Sequence, residues 1–243
     1  MNLRDTLNTK EGYQELIDDS IETIKEDKER IISLTKDIEN GIQNYPRPNK
    51  EIIKAIKDDF ADKYFDVFLT KYSIGEPVKE IIELVEIFNL QLVDSWEIES
   101  GYVQMVNALS IGILVEIENS KFDKLVRLVE RDNVNDYLID FLIRHRKPDW
   151  PQSDKFLWNK PYKGISEIVT LSQEDKAKAL ERLKKYLSEW YRNLEIKTHE
   201  SKWNIHTGYW CWEAGAIVKI LGLDDSSLKD QQYYPYDMVH WKD

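Results

Sequence analysis

From Val103 to Val115 the chain reads VQMVNALSIGILV, apolar on nearly every face of a helix. A helix of that kind is stable in water only when neighbours cover it on all sides. The chain must therefore build several packed layers around it, and the remaining sequence decides what those layers are. Apolar residues elsewhere recur at spacings of three and four, the period of amphipathic helices, and no convincing strand alternation or strict repeat is present.

In chain order, Tyr13, Leu16, Ile17, Ile21, Ile24, Ile31 and Ile32 begin a long amphipathic run that stops near Asn40-Gly41, a favourable helix end. NYPRPN, from Asn44 to Asn49, is a proline-punctuated connection. A second helix is expected over about 50–72, with Ile52, Ile53, Ile56, Phe60, Tyr64 and Phe68 on one stripe. Gly75-Glu76-Pro77 opens a third, with proline in the first turn, where its missing N–H costs nothing. Its buried stripe is Val78, Ile81, Ile82, Val85, Phe88 and Leu92. The central helix is expected over about 101–118, followed by one helix marked by Phe122, Leu125, Val126 and Val129 and another marked by Val134, Tyr137, Leu138, Phe141 and Leu142. Residues 144–164 show no period and read as a loop ordered by Trp150, Phe156 and Trp158. Ser172 with Asp175 reads as a capping box opening a helix to about Leu194. A last long helix is expected over about 207–221, ending at Gly222.

The fold expected is all-α, roughly eight to ten helices packed as antiparallel pairs. Charge divides the chain. Residues 1–120 hold 13 Lys/Arg against 25 Asp/Glu, net −12, and residues 121–243 hold 21 against 20, net +1. Pattern and charge change together near residue 120, so two contiguous helical subdomains are expected, 1–120 and 121–243. The acidic half argues against direct contact with duplex nucleic acid or an anionic membrane and favours a basic partner. A single cysteine rules out a disulfide framework, and neither an apolar leader nor a membrane-length apolar run is evident, so a cytoplasmic protein is expected.

The stretch from His206 to Trp241 concentrates the residue types that carry chemistry. His206, Cys211 and Glu213 invite a nucleophile reading. On one helix, however, His206 and Cys211 would point about 140° apart at ~100° per residue. The aromatic setting of Cys211 also raises its pKa and makes the thiol inert. His199, Glu200 and His206 lack a ligand spacing for one helical turn, and residues 1–120 contain no histidine to complete a carboxylate-bridged metal pair. No glycine-rich phosphate loop occurs. Neither catalysis, metal nor cofactor is expected. Trp210, Trp212, Glu213, Asp224, Asp225, Tyr234, Pro235 and Asp237 read as packing and turn residues, with Gly215-Ala216 a close approach between helices.

Function is expected instead on the acidic helices. Between Lys79 and Lys121 there is no Lys or Arg, yet Glu80, Glu83, Glu86, Asp94, Glu97, Glu99, Glu116 and Glu118 are present. Like charges three and four apart on a helix repel by about a few tenths of a kcal/mol each, so a solvated face normally mixes signs. Carboxylates left unmixed fit a cationic partner. The partner-binding candidates are Asp58, Asp59, Asp62, Asp66, Glu76, Glu80, Glu83, Glu86, Glu97 and Glu99.

RDTLNTKEGY, YSIGEPVKEI, ALSIGILVEI, GYWCWEAGAIVKILGLDD and the closing YPYDMV together resemble the PoNi family of immunity proteins, across both its N-terminal and C-terminal regions. The resemblance implies a cytoplasmic antidote encoded beside a polymorphic toxin, typically a DNase, whose nuclease domain it binds; the acidic face adds the expectation that this domain is basic and is occluded without turnover. A helical scaffold or adaptor for another bacterial protein or peptide is the alternative. An enzyme built on the C-terminal motif would instead need His206, Glu213 and Asp237 to converge on a pocket.

Overall fold

The computed structural model describes residues 2–242. Among them the regular structure is helical throughout, with ten α-helices of eight residues or more and one short helix near the C-terminus. No helix among these residues is long and apolar enough to cross a membrane. The chain forms two compact units.

The first unit runs through Trp96 and takes back a later segment, Thr198–Gly208. It contains α1 (Lys10–Glu39), α2 (Asn49–Asp58), α3 (Phe60–Ile74) and α4 (Val78–Ser95). Thr9 caps α1 by accepting from the Gly12 N–H, and Gly41 turns the chain out of it with φ +68. The expected helix over 50–72 is two helices. The break falls at Asp58-Asp59, where a carboxylate opposes the negative end of α2 and complements the positive end of α3. Gly75 ends α3 at φ +100, and Pro77 precedes α4 instead of lying inside it. Ile24, Leu34, Ile56, Phe60 and Val67 form one buried cluster, and Tyr13, Ile17 and Ile74 another.

The returning segment is held to this unit by specific bonds. The Ser73 hydroxyl donates to the Thr207 carbonyl at 2.7 Å. Asn204 donates to the Gly12 carbonyl at 2.9 Å and to Glu15 at 2.8 Å, and Asn8 donates to Asn204 at 2.9 Å. His206 is buried against Asp5, 3.3 Å away.

The second unit contains α5 (Ile98–Leu114), α6 (Asn119–Arg131), α7 (Tyr137–Arg144), α8 (Gly164–Glu174), α9 (Lys176–Arg192), α10 (Trp212–Leu221) and α11 (Tyr236–Val239). The apolar helix α5 is its centre, packed by α6, α7 and α10. From Tyr102 onward its side chains are mostly buried; Val103, in its first turns, is the large apolar exception. The division at 96/97 lies upstream of the charge change near 120. Charge reports the surface, whereas α5 joins the second unit through its buried faces.

Two helix starts differ from expectation. Ser172 lies inside α8, and the cap is Asp175 alone, accepting from the Ala177 and Lys178 N–H groups. One residue thus separates two helices that pack on each other as a hairpin. The helix expected from 207 starts at Trp212, because the Cys211 N–H is taken by the Tyr233 carbonyl at 2.8 Å.

The aperiodic loop after α7 is ordered as its aromatics suggest. The Trp150 indole donates to Asp140 at 2.8 Å, Phe156 stacks on Tyr137 at 4.9 Å, and Trp158 lies parallel to Tyr102 at 5.8 Å. Asp136 organises this corner. Fully buried, it caps α7 through the Leu138 and Ile139 N–H groups and accepts from the Leu157 N–H and the Tyr102 hydroxyl.

Gly215 lets the tail and α5 approach α10 closely. A Cβ there would stand 3.0 Å from Pro235 Cγ, 3.1 Å from Val239 Cγ2 and 3.4 Å from Leu114 Cδ1. Gly215→Ala is expected to be nearly neutral, since the helix gain of about 1 kcal/mol offsets the crowding. Gly215→Leu is expected to destabilise by about 1–3 kcal/mol through overpacking. Urea unfolding of the two variants measures the difference.

Candidate partner-binding surface and the C-terminal motif

The C-terminal motif contains a buried polar cluster. Glu213, in the first turn of α10, accepts from the Tyr186 hydroxyl at 2.8 Å and is 2% exposed. Burial pushes its pKa up, against the opposing effect of its hydrogen bonds from Tyr186 and Cys211. Burial likewise pushes the Cys211 thiol well up, with the Glu213 charge as the second cause, so no thiolate is available as a nucleophile. Tyr162 and Tyr186 are raised for the same two reasons, burial first and Glu213 second.

His206 takes no part in that cluster. Its Nδ1 lies 2.8 Å from the Thr198 hydroxyl and its Nε2 3.3 Å from Asp5, so both ring nitrogens are engaged within the first unit. The segment 207–211 is not helical, which removes the geometry assumed in comparing His206 with Cys211 on one helix. Asp237 is exposed in the first turn of α11. No group of three or more His, Cys, Asp or Glu with metal-holding geometry occurs among the described residues.

The other motif residues serve the tail. Asp225, buried, accepts from the Tyr234 hydroxyl at 2.6 Å and pairs with His240 Nε2 at 2.9 Å. Asp224 is exposed and turns the chain by accepting from the Ser226 N–H. Pro235 packs on Gly215, and Trp210 and Trp212 lie with ring centroids 6.2 Å apart.

The acidic candidates fall into distinct classes. Asp58 pairs with Lys54 at 2.5 Å, Asp59 with Lys63 at 3.7 Å and Glu76 with Lys71 at 2.7 Å, so these three are partly neutralised. Asp62 and Asp66, one helical turn apart on α3, are exposed. Desolvation, then the Asp62 charge, push the Asp66 pKa up to about 6. Glu80 and Glu83 are exposed on α4, and among the described residues no cation pairs with either. Glu86 is half-buried on the same helix. Glu97 and Glu99 open α5 in the second unit and are exposed. Arg131 lies within electrostatic reach of Glu97.

The N-terminal model of the PoNe immunity protein (PoNi) matches residues 4–127, and the C-terminal model matches residues 134–238. The protein PA2201 from Pseudomonas aeruginosa, solved by crystallography, shares the fold with TM-score 0.62 at 16% identity, over 90% of this chain and 87% of that one. No curated protein matches the sequence. With both regions of one family matched along nearly its whole length, the chain belongs to the PoNi family and is an immunity protein.

Proposed function

We propose that this chain is a non-enzymatic cytoplasmic antidote that binds the basic nuclease domain of one toxin, a DNase encoded beside it, and neutralises it by occlusion. The observation that carries the reading is membership of the immunity family in both regions. The acidic side chains supply a physical route. Exposed carboxylates such as Glu80 and Glu83 offer negative charge where a nuclease expects phosphate, which raises the association rate and selects a cationic partner. Binding and occlusion then suffice, with no turnover and no cofactor. Asp62, Asp66 and Glu86 extend the same acidic character along α3 and α4.

The test is co-expression with the toxin encoded next door. Growth protection, a stable complex on co-purification, and loss of DNA cleavage when the antidote is added are the expected results. A pair that neither binds nor protects removes the reading. A partner that binds but cleaves nothing would move the chain to the scaffold or adaptor class.

A further inference from the structure

We propose that Trp203 and Ile205, carried on the turn between Ser201 and His206, form the apolar anchor by which this chain grips the toxin's nuclease domain. The inference rests on the antidote reading above and names a contact that the acidic residues alone do not supply. Carboxylates steer an encounter, but the slow dissociation of a tight complex generally comes from a few large side chains that enter a desolvated pocket.

Trp203 is 69% exposed and Ile205 is 47% exposed, while Asn204 between them is fastened inward. Asn204 donates to the Gly12 carbonyl at 2.9 Å and to Glu15 at 2.8 Å, and accepts from Asn8 at 2.9 Å. On the far side, His206 is buried against Asp5 and Thr198. On the near side, the Trp203 N–H is held by the Ser201 hydroxyl at 3.0 Å. The turn is thus held by the Trp203 N–H and by the Asn204 and His206 side chains, while the Trp203 and Ile205 side chains stay exposed. Fixing a loop before binding lowers the ordering penalty on association, and tryptophan is among the residues most enriched at binding hot spots.

Charge selects the occupant. The turn is bonded to the N-terminal end of α1, where Glu11, Glu15, Asp18 and Asp19 are exposed and no cation pairs with them among the described residues. Lys202, whose ammonium lies 5.0 Å from the Trp203 ring centroid, is the turn's own positive charge. An apolar pair on a turn bonded to this acidic helix end complements a basic protein face with an apolar recess. That is the surface expected of the toxin's nuclease domain, and a second copy of this acidic chain would meet that helix end with like charge.

The experiment measures association and dissociation of the full-length chain with a catalytically inactive form of the neighbouring toxin's nuclease domain. Trp203→Ala and Ile205→Ala are each compared with wild type, with unfolding midpoints as the folding control. Trp203→Ala is expected to speed dissociation by about 30-fold or more with little change in association rate, and Ile205→Ala by a smaller factor. Trp203→Phe is expected to recover most of the residence time. If the wild-type chain binds the toxin and both alanine variants dissociate at the wild-type rate, the anchor is wrong while the antidote reading stands. If the wild-type chain does not bind the toxin at all, the antidote reading fails and takes the anchor with it. Sedimentation of the chain alone covers the remaining occupant: a dimer lost in Trp203→Ala, with toxin binding unchanged, would assign the patch to self-association and overturn the proposal.

Discussion

Glu213→Ala is expected to lower the unfolding free energy by about 3–5 kcal/mol, the largest loss from any single polar substitution in the C-terminal motif. The side chain is enclosed in the second unit, and its carboxylate oxygen is the partner of the buried Tyr186 hydroxyl. Truncation leaves that hydroxyl and the Cys211 thiol without a partner, and an unpaired buried donor costs about 1–3 kcal/mol. The vacated volume adds a cavity cost, since close-packed surroundings relax only in part. Glu213→Gln separates shape from charge. Burial raises Glu213 above its ordinary value, so the folded state holds this proton more tightly than the unfolded chain does. The stability linked to that proton is fully present below the ordinary glutamate range. It is lost as pH rises from there through the raised folded value. The Gln variant has no proton to lose. The difference in stability between Gln and wild type should therefore shift in favour of Gln across that window, read from urea midpoints at several pH values. A wild-type midpoint for Glu213→Ala would show that the cluster contributes no stability. An intact fold with lost toxin protection would instead move the motif into the functional surface.

What the sequence made legible, and what it hid, follows from the range of the interactions involved. Stripes at spacings of three and four are local, so the burial of Tyr13, Ile17 and Ile24 on α1 and of Ile81, Val85, Phe88 and Leu92 on α4 was readable, although Ile21 and Ile32 of the same α1 run are exposed. The burial of α5 was readable because an all-apolar helix has one physical solution. Long-range pairings were not. His206 is tied to Asp5 across 201 positions, and Asn204 to Gly12 across 192, so nothing in the local pattern announces that 198–208 returns to the first unit. Asp136 carries no distinctive local signal, because a lone aspartate before a helix looks like any cap. Its extra partners, Leu157 and Tyr102, come from other segments.

The acidic candidates fall between these cases. The pairing of Asp58 with Lys54 and of Asp59 with Lys63 follows the four-residue spacing of helix neighbours, a signal already present in the sequence. Lys71 and Glu76 meet only because Gly75 reverses the chain between them. The exposure of Glu80 and Glu83, by contrast, follows directly from their place opposite the buried stripe of α4.

Replacing Glu80, Glu83 and Glu86 together by Lys is expected to slow association with the toxin by about 10- to 100-fold at low ionic strength. The substitution reverses three charges on α4, and Glu80 and Glu83 give up no ion pair in the process. Reversal at 80 and 83 should therefore change stability little; half-buried Glu86 gives up more, and reversal at Asp58 or Glu76 would set like charges against Lys54 or Lys71. Steering acts before contact, so the effect belongs mainly to the association rate and should shrink as salt screens it, with a Debye length of about 8 Å at physiological strength. Dissociation should change far less. Asp66, on the adjoining helix α3, adds a pH test. Its carboxyl, pushed up to about 6, loses charge as pH falls toward that value. Association of the wild-type chain should slow more between pH 8 and pH 6 than that of Asp66→Asn, measured against the same toxin so that the toxin's own titration cancels. An association rate unchanged by the triple reversal at low salt would remove α4 from the interface. The acidic start of α1, to which the Trp203 turn is bonded through Asn204, would then be the place to look for steering.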